Sequence, residues 1–339
     1  MPNRIRYILE KAYGARVLCL GDLMLDRYVY GEATRLSPEA PVPIVAVRRQ
    51  ALIPGGLGNV AMNLASLKAS PLVVGLTGDD QAADDLAYLL QGALDPASPP
   101  LLRDIERPTT KKTRVIAGIQ QIVRFDEESS GTLSPSTEDA YREAAESLLP
   151  LASSVIVSDY GKGTVTPALL KWLMIQARDL GLPIVIDPKG DDYSRYRGAT
   201  LITPNRQELA LAVGRDIAKS SQEVLTAAGF ALMAQHDIGN LLITRSEEGM
   251  TLLSSDRTMR HLPARAQEVF DVSGAGDTVV ACMGAALAGG MTLEEGAELA
   301  TAAAGVVVGK VGTATATPAE ILMSLHGYQP RKTAKVRDK

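Results

Sequence analysis

Short runs of consecutive apolar residues alternate along this chain with longer segments in which apolar residues recur every three or four positions. The first pattern is typical of strands that are covered on both faces, and the second is typical of helices with one buried face. Strands that alternate with helices predict an α/β fold, in which a mostly parallel central sheet carries helices on both faces. The predicted strands are residues 17–20, 72–76, 155–157, 184–186, 201–202 and 241–243, and the predicted helices are residues 58–67, 82–90, 137–149, 167–180 and 222–235.

Two segments, 26–47 and 113–125, interrupt this alternation because they are richer in β-branched and alternating residues. We predict that they form a small projecting β-sheet, a lid built from about 26–47 and 108–126, with a hairpin turn at 118–120. Two surface hairpins without a role in closure are the alternative. The lid and the main sheet are expected to form a single domain over residues 1–330, and a basic tail at 331–339 is expected to be disordered.

Composition and charge remove several classes of function from consideration. The chain has 339 residues and a formal net charge of −4, which gives no electrostatic footprint for nucleic acid. Cys19 and Cys282 lie in apolar stretches without pairing or metal-ligand spacing, so we interpret them as small core residues in a reducing compartment. No apolar window is long enough to span a membrane, and the N-terminus lacks the apolar region of a signal peptide. We therefore expect a cytoplasmic protein without a nucleic-acid or membrane partner.

The segment 271–277, Asp-Val-Ser-Gly-Ala-Gly-Asp, stands directly before an apolar helical run. Gly274 and Gly276 can take the tight geometry that points successive N–H groups into one concavity, and the following helix adds its positive end. These features predict an anion hole for a phosphoryl group, with Asp277 placed to accept the proton of an attacking hydroxyl. An ordinary glycine-containing turn before a helix is the alternative for so short a motif.

A second glycine-rich turn, Gly55-Gly56-Leu-Gly-Asn59, opens a predicted helix. Its bare backbone lets a polar ligand approach N–H groups, and the Asn59 amide offers both a donor and an acceptor, which suits sugar hydroxyls. Asp26 follows the first strand, where ligands of open α/β sheets bind, and can accept from two hydroxyls. A turn or cap aspartate is the alternative for Asp26.

Polar loops also follow four later strands. Asn205 and Glu208 have the spacing of a capping box, and they could instead hold Mg²⁺, most readily through water. Asp159, Lys162 and Lys189 lie beside glycines in loops that favour phosphate contact, and the segment 244–249 offers a hydroxyl and a guanidinium to a nucleotide. Positive charge on the lid suits a phosphorylated substrate, although a solvated lid face would need no function. The lid residues concerned are Lys111, Lys112, Arg114 and Arg124.

Taken together, these segments resemble the ribokinase-like carbohydrate kinase family, also called PfkB kinases. Its two signatures match Gly55-Gly56…Asn59…Ala61 and the segment 271–277, and the resemblance covers residues 15–325. It implies ATP and Mg²⁺ as cofactors, with a monovalent cation as an optional third. It further implies that Asp277 is the catalytic base and that Gly274, Ala275 and Gly276 form the anion hole. The magnesium and phosphate positions would be Asn205 and Glu208, and the nucleotide contacts would be Lys189, Thr244, Arg245, Ser246 and Gly249. The sugar contacts would be Asp26, Gly55, Gly56 and Asn59.

Within that family, six further segments resemble the subgroup that acts on D-glycero-β-D-manno-heptose 7-phosphate. They are residues 21–28, 35–43, 108–114, 158–163, 187–192 and 244–250. The resemblance implies transfer of the ATP γ-phosphate to the anomeric hydroxyl, which gives the 1,7-bisphosphate. The substrate-binding candidates it adds are Arg35, Lys112, Arg114, Arg124, Asp159 and Lys162.

Two alternatives stay open, a family member acting on another sugar phosphate such as fructose 6-phosphate and a non-catalytic sugar-phosphate sensor. The intact Asp277 argues against the sensor, because a sensor needs no base. The chain has no His-x-Gly-His motif of a nucleotidyltransferase, so we expect a stand-alone kinase whose adenylyltransferase is a separate chain. An edge-exposed lid would gain from being covered, so we expect a homodimer that pairs through the lid.

Overall fold

A computed structural model describes residues 2–265 and 269–325 of the chain. Fourteen strands and ten α-helices lie within this described part, and the predicted tail at 331–339 falls outside it. The strands are β1 (Arg16–Gly21), β2 (Leu23–Leu36), β3 (Pro43–Gly56), β4 (Ser70–Val74), β5 (Leu76–Thr77), β6 (Leu102–Arg103), β7 (Thr110–Ala117), β8 (Gln120–Glu127), β9 (Ser154–Ser158), β10 (Ile184–Asp187), β11 (Leu201–Ile202), β12 (Leu241–Thr244), β13 (Met250–Leu253) and β14 (Met259–Leu262). The helices are α1 (Pro2–Ala12), α2 (Leu57–Ser66), α3 (Gln81–Leu90), α4 (Pro135–Leu148), α5 (Pro167–Asp179), α6 (Arg206–Ala212), α7 (Gln222–His236), α8 (Ala275–Ala288), α9 (Leu293–Val307) and α10 (Pro318–Leu325).

The central sheet has eight strands in the order β4-β1-β9-β10-β11-β12-β13-β14. The first six strands are parallel, β13 pairs antiparallel with β12, and β14 pairs antiparallel with β13, so the prediction of a mostly parallel sheet is confirmed. The six predicted strands all lie in this sheet, except that residues 72–76 divide between β4 and the short β5. Six parallel strands align their carboxyl ends at one edge, which is where polar loops can converge on a ligand.

Alternate residues of each strand face opposite sides of the sheet, and each side carries its own core. Val17 and Cys19 of β1 pack with α1, α2, α8 and α9, whereas Leu18 and Leu20 pack with α4, α5 and α7. Both faces are therefore covered, as the continuous apolar runs predict. Cys19 and Cys282 are buried free thiols, which confirms their interpretation as core residues, and burial raises the pKa of each thiol.

The lid is a separate four-stranded sheet in the order β3-β2-β7-β8. Its strands extend further than the predicted segments, because β2 begins directly after β1 and β3 runs directly into α2. The predicted hairpin turn is present, since Ala117 pairs with Gln120 across residues 118 and 119. The lid is thus joined without a linker to the elements whose ends form the candidate site.

Several elements in the described part of the chain, including α1, α10, β13 and β14, were not among the predicted ones. Helix α1 buries Ile5, Ile8 and Leu9 against the first core, and β13 with β14 forms the antiparallel edge of the central sheet. Among residues 2–265 and 269–325, every helix is too short or too polar to cross a membrane.

Candidate active site

The candidate site lies where the first turn of α8 meets the start of α2, the loop after β9 and the root of the lid. Asp277 of α8 is at its centre and is only 3% exposed. The Asn59 amide of α2 donates to Asp277 Oδ2 at 2.7 Å, and the Tyr160 hydroxyl of the β9–α5 loop donates to Asp277 Oδ1 at 2.8 Å. Each oxygen of the carboxylate thus receives one neutral donor, which fixes the plane of the group.

Burial raises the pKa of Asp277 from 3.8 to about 6. The two hydrogen bonds oppose this rise, because they stabilise the ionised form, and the negative charge of Asp26 adds to it. A carboxylate with a pKa near 6 is mostly ionised at neutral pH and is more basic than an exposed aspartate. These are the properties that general-base catalysis requires.

The Asn59 amide is itself oriented by a hydrogen-bond chain between α2 and α8. Asn63 Nδ2 donates to Asn59 Oδ1 at 3.1 Å and to the Asn59 carbonyl at 2.9 Å. The Thr278 hydroxyl donates in turn to Asn63 Oδ1 at 3.0 Å. Because Asn59 Oδ1 accepts from Asn63, the Asn59 NH₂ group is the end that faces Asp277.

The turn before α8 requires glycine at its cap. Gly274 has φ of 75°, in the left-handed region, and a Cβ placed there would lie 2.6 Å from Asn59 Nδ2. The Ala275 N–H donates to the Val272 carbonyl at 3.2 Å. The N–H groups of Gly276 and Asp277 stand in the first turn, where helix geometry provides no intrahelical acceptor. Space beside Gly276 is open. These N–H groups, the helix dipole and the open space fit an anionic phosphate, and the anion hole stays a prediction.

Asp26 and Arg114 form an ion pair at the root of the lid. Asp26 on β2 is buried, and Arg114 Nη1 on the adjacent β7 lies 2.5 Å from Asp26 Oδ1. A Cβ at Gly55 would lie 2.7 Å from Asp26 Oδ2, so glycine at that position is what lets β3 pass the carboxylate. Gly56, which begins the turn into α2, has φ of 53°. The predicted sugar contacts Asp26, Gly55, Gly56 and Asn59 therefore lie in one continuous region.

The predicted phosphate contacts divide into two groups. Lys112 on the lid lies 3.1 Å from Asp126 and 3.3 Å from Glu128, and Lys162 of the β9–α5 loop lies 2.7 Å from the same Glu128. Lid and main sheet thus bring two ammonium groups around one carboxylate. Arg124 pairs with Asp126 at 3.0 Å, and Arg35 lies on the exposed outer half of β2.

Asp159 contacts its own loop and a neighbouring turn. Its carboxylate accepts from the Gly161 N–H at 2.9 Å and from the Tyr196 hydroxyl at 2.7 Å, and Arg195 lies 3.4 Å away. Burial raises the pKa of Asp159, while Arg195 and the hydrogen bonds oppose that rise. These contacts organise the loop that carries Tyr160 and Lys162, and direct substrate contact by Asp159 stays a prediction.

Asn205 and Glu208 form the predicted capping box at the start of α6. Asn205 Oδ1 accepts from the N–H groups of Gln207 and Glu208, and Glu208 Oε2 accepts from the Asn205 N–H at 2.9 Å. Lys189 lies 3.5 Å from Glu208 Oε1. Both side chains keep lone pairs beyond these contacts, so a hydrated Mg²⁺ fits here through water. No group of three or more His, Cys, Asp and Glu side chains in the described part of the chain is arranged to ligate a metal directly.

The predicted nucleotide contacts at 244–249 shape the turn between β12 and β13. The Thr244 N–H donates to the Pro204 carbonyl at 2.9 Å, and Ser246 and Gly249 begin and end the turn. Arg245 is 5% exposed, and its guanidinium contacts Gln222 at 2.9 Å, Thr251 at 3.1 Å and Glu248. In this arrangement the guanidinium is engaged inside the protein, and nucleotide contact by these residues stays a prediction.

Four site residues were not identified as such from the sequence: Asp22, Asn63, Tyr160 and Asp187. Asp22, Tyr160 and Asp187 lie inside the segments 21–28, 158–163 and 187–192, so the signal was present but was assigned to their neighbours. Asn63 lies one helical turn after Asn59. Burial raises the pKa of Asp187 well above its usual range, and the charges of Asp277 and Glu208 add to this rise.

Comparison with known proteins bears on this geometry. A family model described as pfkB family carbohydrate kinase matches residues 15–320. The chain is 46% identical over 320 residues to the protein named bifunctional protein HldE of Paramagnetospirillum magneticum, covering 94% of this chain and 64% of that protein. It is 44% identical over 337 residues to bifunctional protein HldE of Geobacter sulfurreducens, covering 99% of this chain and 68% of that protein. The chain therefore spans about two thirds of the length of these relatives.

Solved structures with the same architecture are more distant in sequence. Phosphofructokinase-2 from Escherichia coli in complex with potassium has a TM-score of 0.73 at 18% identity, covering 93% of this chain and 99% of that one. Ribokinase from Arabidopsis thaliana complexed with ribose and ATP has a TM-score of 0.71 at 19% identity, covering 92% and 99%. These similarities confirm the predicted fold.

Proposed function

Since this chain belongs to the pfkB family of carbohydrate kinases, we propose that it transfers the γ-phosphoryl group of ATP to the anomeric hydroxyl of D-glycero-β-D-manno-heptose 7-phosphate. The products are the 1,7-bisphosphate and ADP. The observation that carries the proposal is the buried Asp277 carboxylate, which is oriented by Asn59 and Tyr160 at the open N-terminus of α8.

The reaction assigns each part of the site a task. The anomeric O–H bond breaks and its proton passes to the Asp277 carboxylate, while the sugar oxygen forms a bond to the γ-phosphorus. The bond between the γ-phosphorus and the β,γ-bridging oxygen breaks, and that oxygen leaves with ADP. Of the predicted anion hole Gly274 to Gly276, the Gly276 N–H, together with that of Asp277, would stabilise charge on the transferring group.

ATP supplies the phosphoryl group, and Mg²⁺ offsets the charge of its phosphates. Asn205 and Glu208 would contact the hydrated ion, and Lys189 beside Glu208 would contact a phosphate. Phosphofructokinase-2 has been solved with potassium, and a monovalent cation stays a prediction for this chain.

Two observations support the heptose 7-phosphate as the substrate. Six segments resemble the subgroup that acts on the heptose 7-phosphate, and the chain shares 44–46% identity with the HldE proteins against 18–19% with the phosphofructokinase-2 and ribokinase structures. Lys112 of the lid and Lys162 of the β9–α5 loop both contact Glu128, and a phosphate distant from the anomeric carbon would bind between these two lysines. The Asp26 carboxylate would accept hydrogen bonds from hydroxyl groups of the sugar ring.

We also propose that two copies pair through their lids. The lid leaves apolar side chains in solvent, among them Val123 at 47% and Phe125 at 48% exposed, on the edge strand β8. Covering this edge would remove apolar surface and unpaired strand groups from water. Light scattering of the purified chain against a Phe125→Glu variant tests the pairing, which a monomeric wild-type chain would contradict.

The direct test of function is release of ADP from ATP and Mg²⁺, with the heptose 7-phosphate, fructose 6-phosphate, ribose or no sugar as acceptor. Turnover confined to the heptose phosphate is the expected result. Turnover only with another sugar would overturn the substrate while keeping the role of Asp277. The absence of turnover with every acceptor would overturn the proposed activity.

A further inference from the structure

The Tyr160 side chain contacts the Asp277 carboxylate, and no sequence motif predicts this contact. Its hydroxyl lies 2.8 Å from Asp277 Oδ1, although it belongs to the loop after β9 and Asp277 belongs to α8. A tyrosine in an unsupported loop would reach the carboxylate in one side-chain rotamer only, so the role of Tyr160 depends on whether the loop backbone is held in place.

The loop after β9 is held by a second buried carboxylate, that of Asp22. Asp22, which is 1% exposed, accepts the N–H of Tyr160 at 2.7 Å, the N–H of Lys162 at 3.0 Å and the N–H of Thr164 at 3.2 Å. A buried carboxylate is costly unless it is well hydrogen-bonded, and three charge-assisted bonds satisfy this one. The first of them attaches to the backbone nitrogen of Tyr160 itself.

Asp22 is also anchored on its own backbone. Its N–H donates to the Ser158 carbonyl at 3.0 Å, and its carbonyl accepts from the Leu57 N–H at 3.0 Å. The same residue therefore connects β9, the start of α2 and the loop that carries Tyr160. Because Asn59 stands two residues after Leu57, both donors to Asp277 are positioned through Asp22.

We propose that Tyr160, through its hydroxyl bond to Asp277 Oδ1, is a positioning residue that orients the base for phosphoryl transfer, and that Asp22 sets the place of Tyr160. This inference depends on the proposed function. The Tyr160 hydroxyl and the Asn59 amide contact different oxygens of Asp277, so together they prevent rotation of the carboxylate. Removing one leaves a group that can turn about its Cβ–Cγ bond and is less often aligned with the substrate hydroxyl.

The charged groups near Asp277 define how its titration responds. Asp26 of β2 and Asp187 of β10 are carboxylates whose charges interact with it, and Arg114 of β7 is paired with Asp26. The groups that lower the pKa of Asp277 are the two neutral donors, Asn59 and Tyr160. Loss of the Tyr160 hydroxyl must therefore raise the pKa of Asp277, and the base becomes protonated at a higher pH.

The test is Tyr160→Phe in the full chain, with kcat and KM measured from pH 5 to pH 9. We expect the acidic midpoint of kcat to move upward, with kcat falling by about tenfold at pH 6 and recovering to within about twofold at pH 9, while KM for ATP is unchanged. Asp22→Asn, which keeps the hydroxyl but weakens its backbone support, should move the midpoint in the same direction by less.

Tyr193→Phe is the matched control. The Tyr193 hydroxyl is also buried near the ends of the strands, and within the described part of the chain it has no hydrogen-bond partner. Its removal should leave the midpoint in place. An unchanged midpoint in Tyr160→Phe, or an equal loss of kcat at every pH together with a higher KM for both substrates, would overturn the inference.

A measurement independent of turnover separates this inference from the proposed reaction. The ¹³C signal of the Asp277 carboxyl, identified by its loss in Asp277→Asn, should titrate near pH 6 in the wild-type protein and at higher pH in Tyr160→Phe. A shifted titration without sugar turnover would contradict the proposed function alone, whereas equal titrations in the two proteins would refute the role of Tyr160.

Discussion

Two carboxylates in this molecule, Asp277 in the first turn of α8 and Glu128 directly after lid strand β8, are satisfied in opposite ways. Asp277 is almost fully buried and receives an amide and a hydroxyl, both neutral. The Glu128 side chain is 32% exposed and receives two ammonium groups, from Lys112 and Lys162. Hydrogen bonding to Lys162 is the main reason that the pKa of Glu128 lies below its usual range.

The difference shows what each carboxylate is suited for. A cation beside Asp277 would lower its pKa and remove the basicity that proton abstraction needs, whereas neutral donors orient the group and leave most of that basicity in place. The side chains of this cluster are 15–32% exposed, so its ion pairs stay in contact with water and can exchange partners. The lysines under the lid can therefore exchange the carboxylate of Glu128 for another anion.

The largest expected effect comes from removing the charge of Asp277. Asp277→Asn should reduce kcat by about 10²- to 10⁴-fold and leave ATP affinity near normal, because the base is lost while the N–H groups of the helix remain. Steady-state kinetics and ATP titration check both parts. Turnover retained at the wild-type level would refute the role of Asp277.

The same substitution should stabilise the fold at neutral and alkaline pH. The folded pKa of Asp277 lies above the ordinary 3.8, at about 6, so its contribution to stability is full below 3.8 and is lost as pH rises through 6. At about 1.4 kcal/mol per pH unit, the cost of the buried charge above pH 7 is on the order of 3 kcal/mol. Thermal unfolding of Asp277→Asn should show a higher Tm than wild type at pH 8, with the difference narrowing towards pH 4.

Converting Asn59 into a second carboxylate tests whether neutrality of the donors matters. In Asn59→Asp the two carboxylates would face each other across 2.7 Å and would share a proton, so the apparent pKa of the pair rises. We expect kcat at pH 7 to fall by about 10- to 100-fold and to recover partly as pH rises. A loss of the same size at every pH would contradict this explanation.

Asp26 lies between the two regions, since it influences Asp277 and pairs with Arg114. Asp26→Asn should raise KM for the sugar phosphate by about tenfold, because a hydroxyl acceptor is lost and Arg114 is left without its partner. It should also move the acidic midpoint of kcat to lower pH, because the charge of Asp26 raises the pKa of Asp277. A midpoint that moves upward would show that Arg114 has turned away from the site.

The smallest expected effect lies under the lid. Glu128→Gln frees Lys112 and Lys162 of one competing anion, so KM for the sugar phosphate should fall by about two- to fivefold, and the change should shrink in high salt. Glu127→Gln is the matched control, because Glu127 pairs with Lys111 at 2.9 Å instead. An unchanged or higher KM in Glu128→Gln would show that the substrate phosphate does not displace Glu128.

The parts of the fold that depend on local patterns were predictable. Strand β9 extends one residue beyond each end of the predicted 155–157, and α5 ends one residue before the predicted end. The capping box of Asn205 and Glu208 was also predictable, because its contacts join residues three positions apart. Helix α1 was missed although Ile5, Ile8, Leu9 and Ala12 have helical spacing, so in that case the signal was present and unused.

The contacts that complete the site could not be read in the same way. The Tyr160 hydroxyl reaches Asp277, and the Asp22 carboxylate reaches Tyr160, only after β1, β9 and α8 have come together. No local spacing encodes such a contact. Strands β13 and β14 form the antiparallel edge of the sheet, and Thr251, Arg260 and His261 interrupt the continuous apolar runs by which the parallel strands were recognised.

The hydrogen bonds around Asp277 join distant positions of the chain, with Asn59 lying 218 residues and Tyr160 lying 117 residues before it, and Asp22 lies 138 residues before Tyr160. During synthesis the earlier partners leave the ribosome long before the base that they are to orient. A nascent chain shorter than 277 residues thus lacks the base that deprotonates the acceptor hydroxyl, whatever portion of the sheet it has already formed. Turnover consequently reports on the finished fold, and it can serve as an assay for the last step of folding.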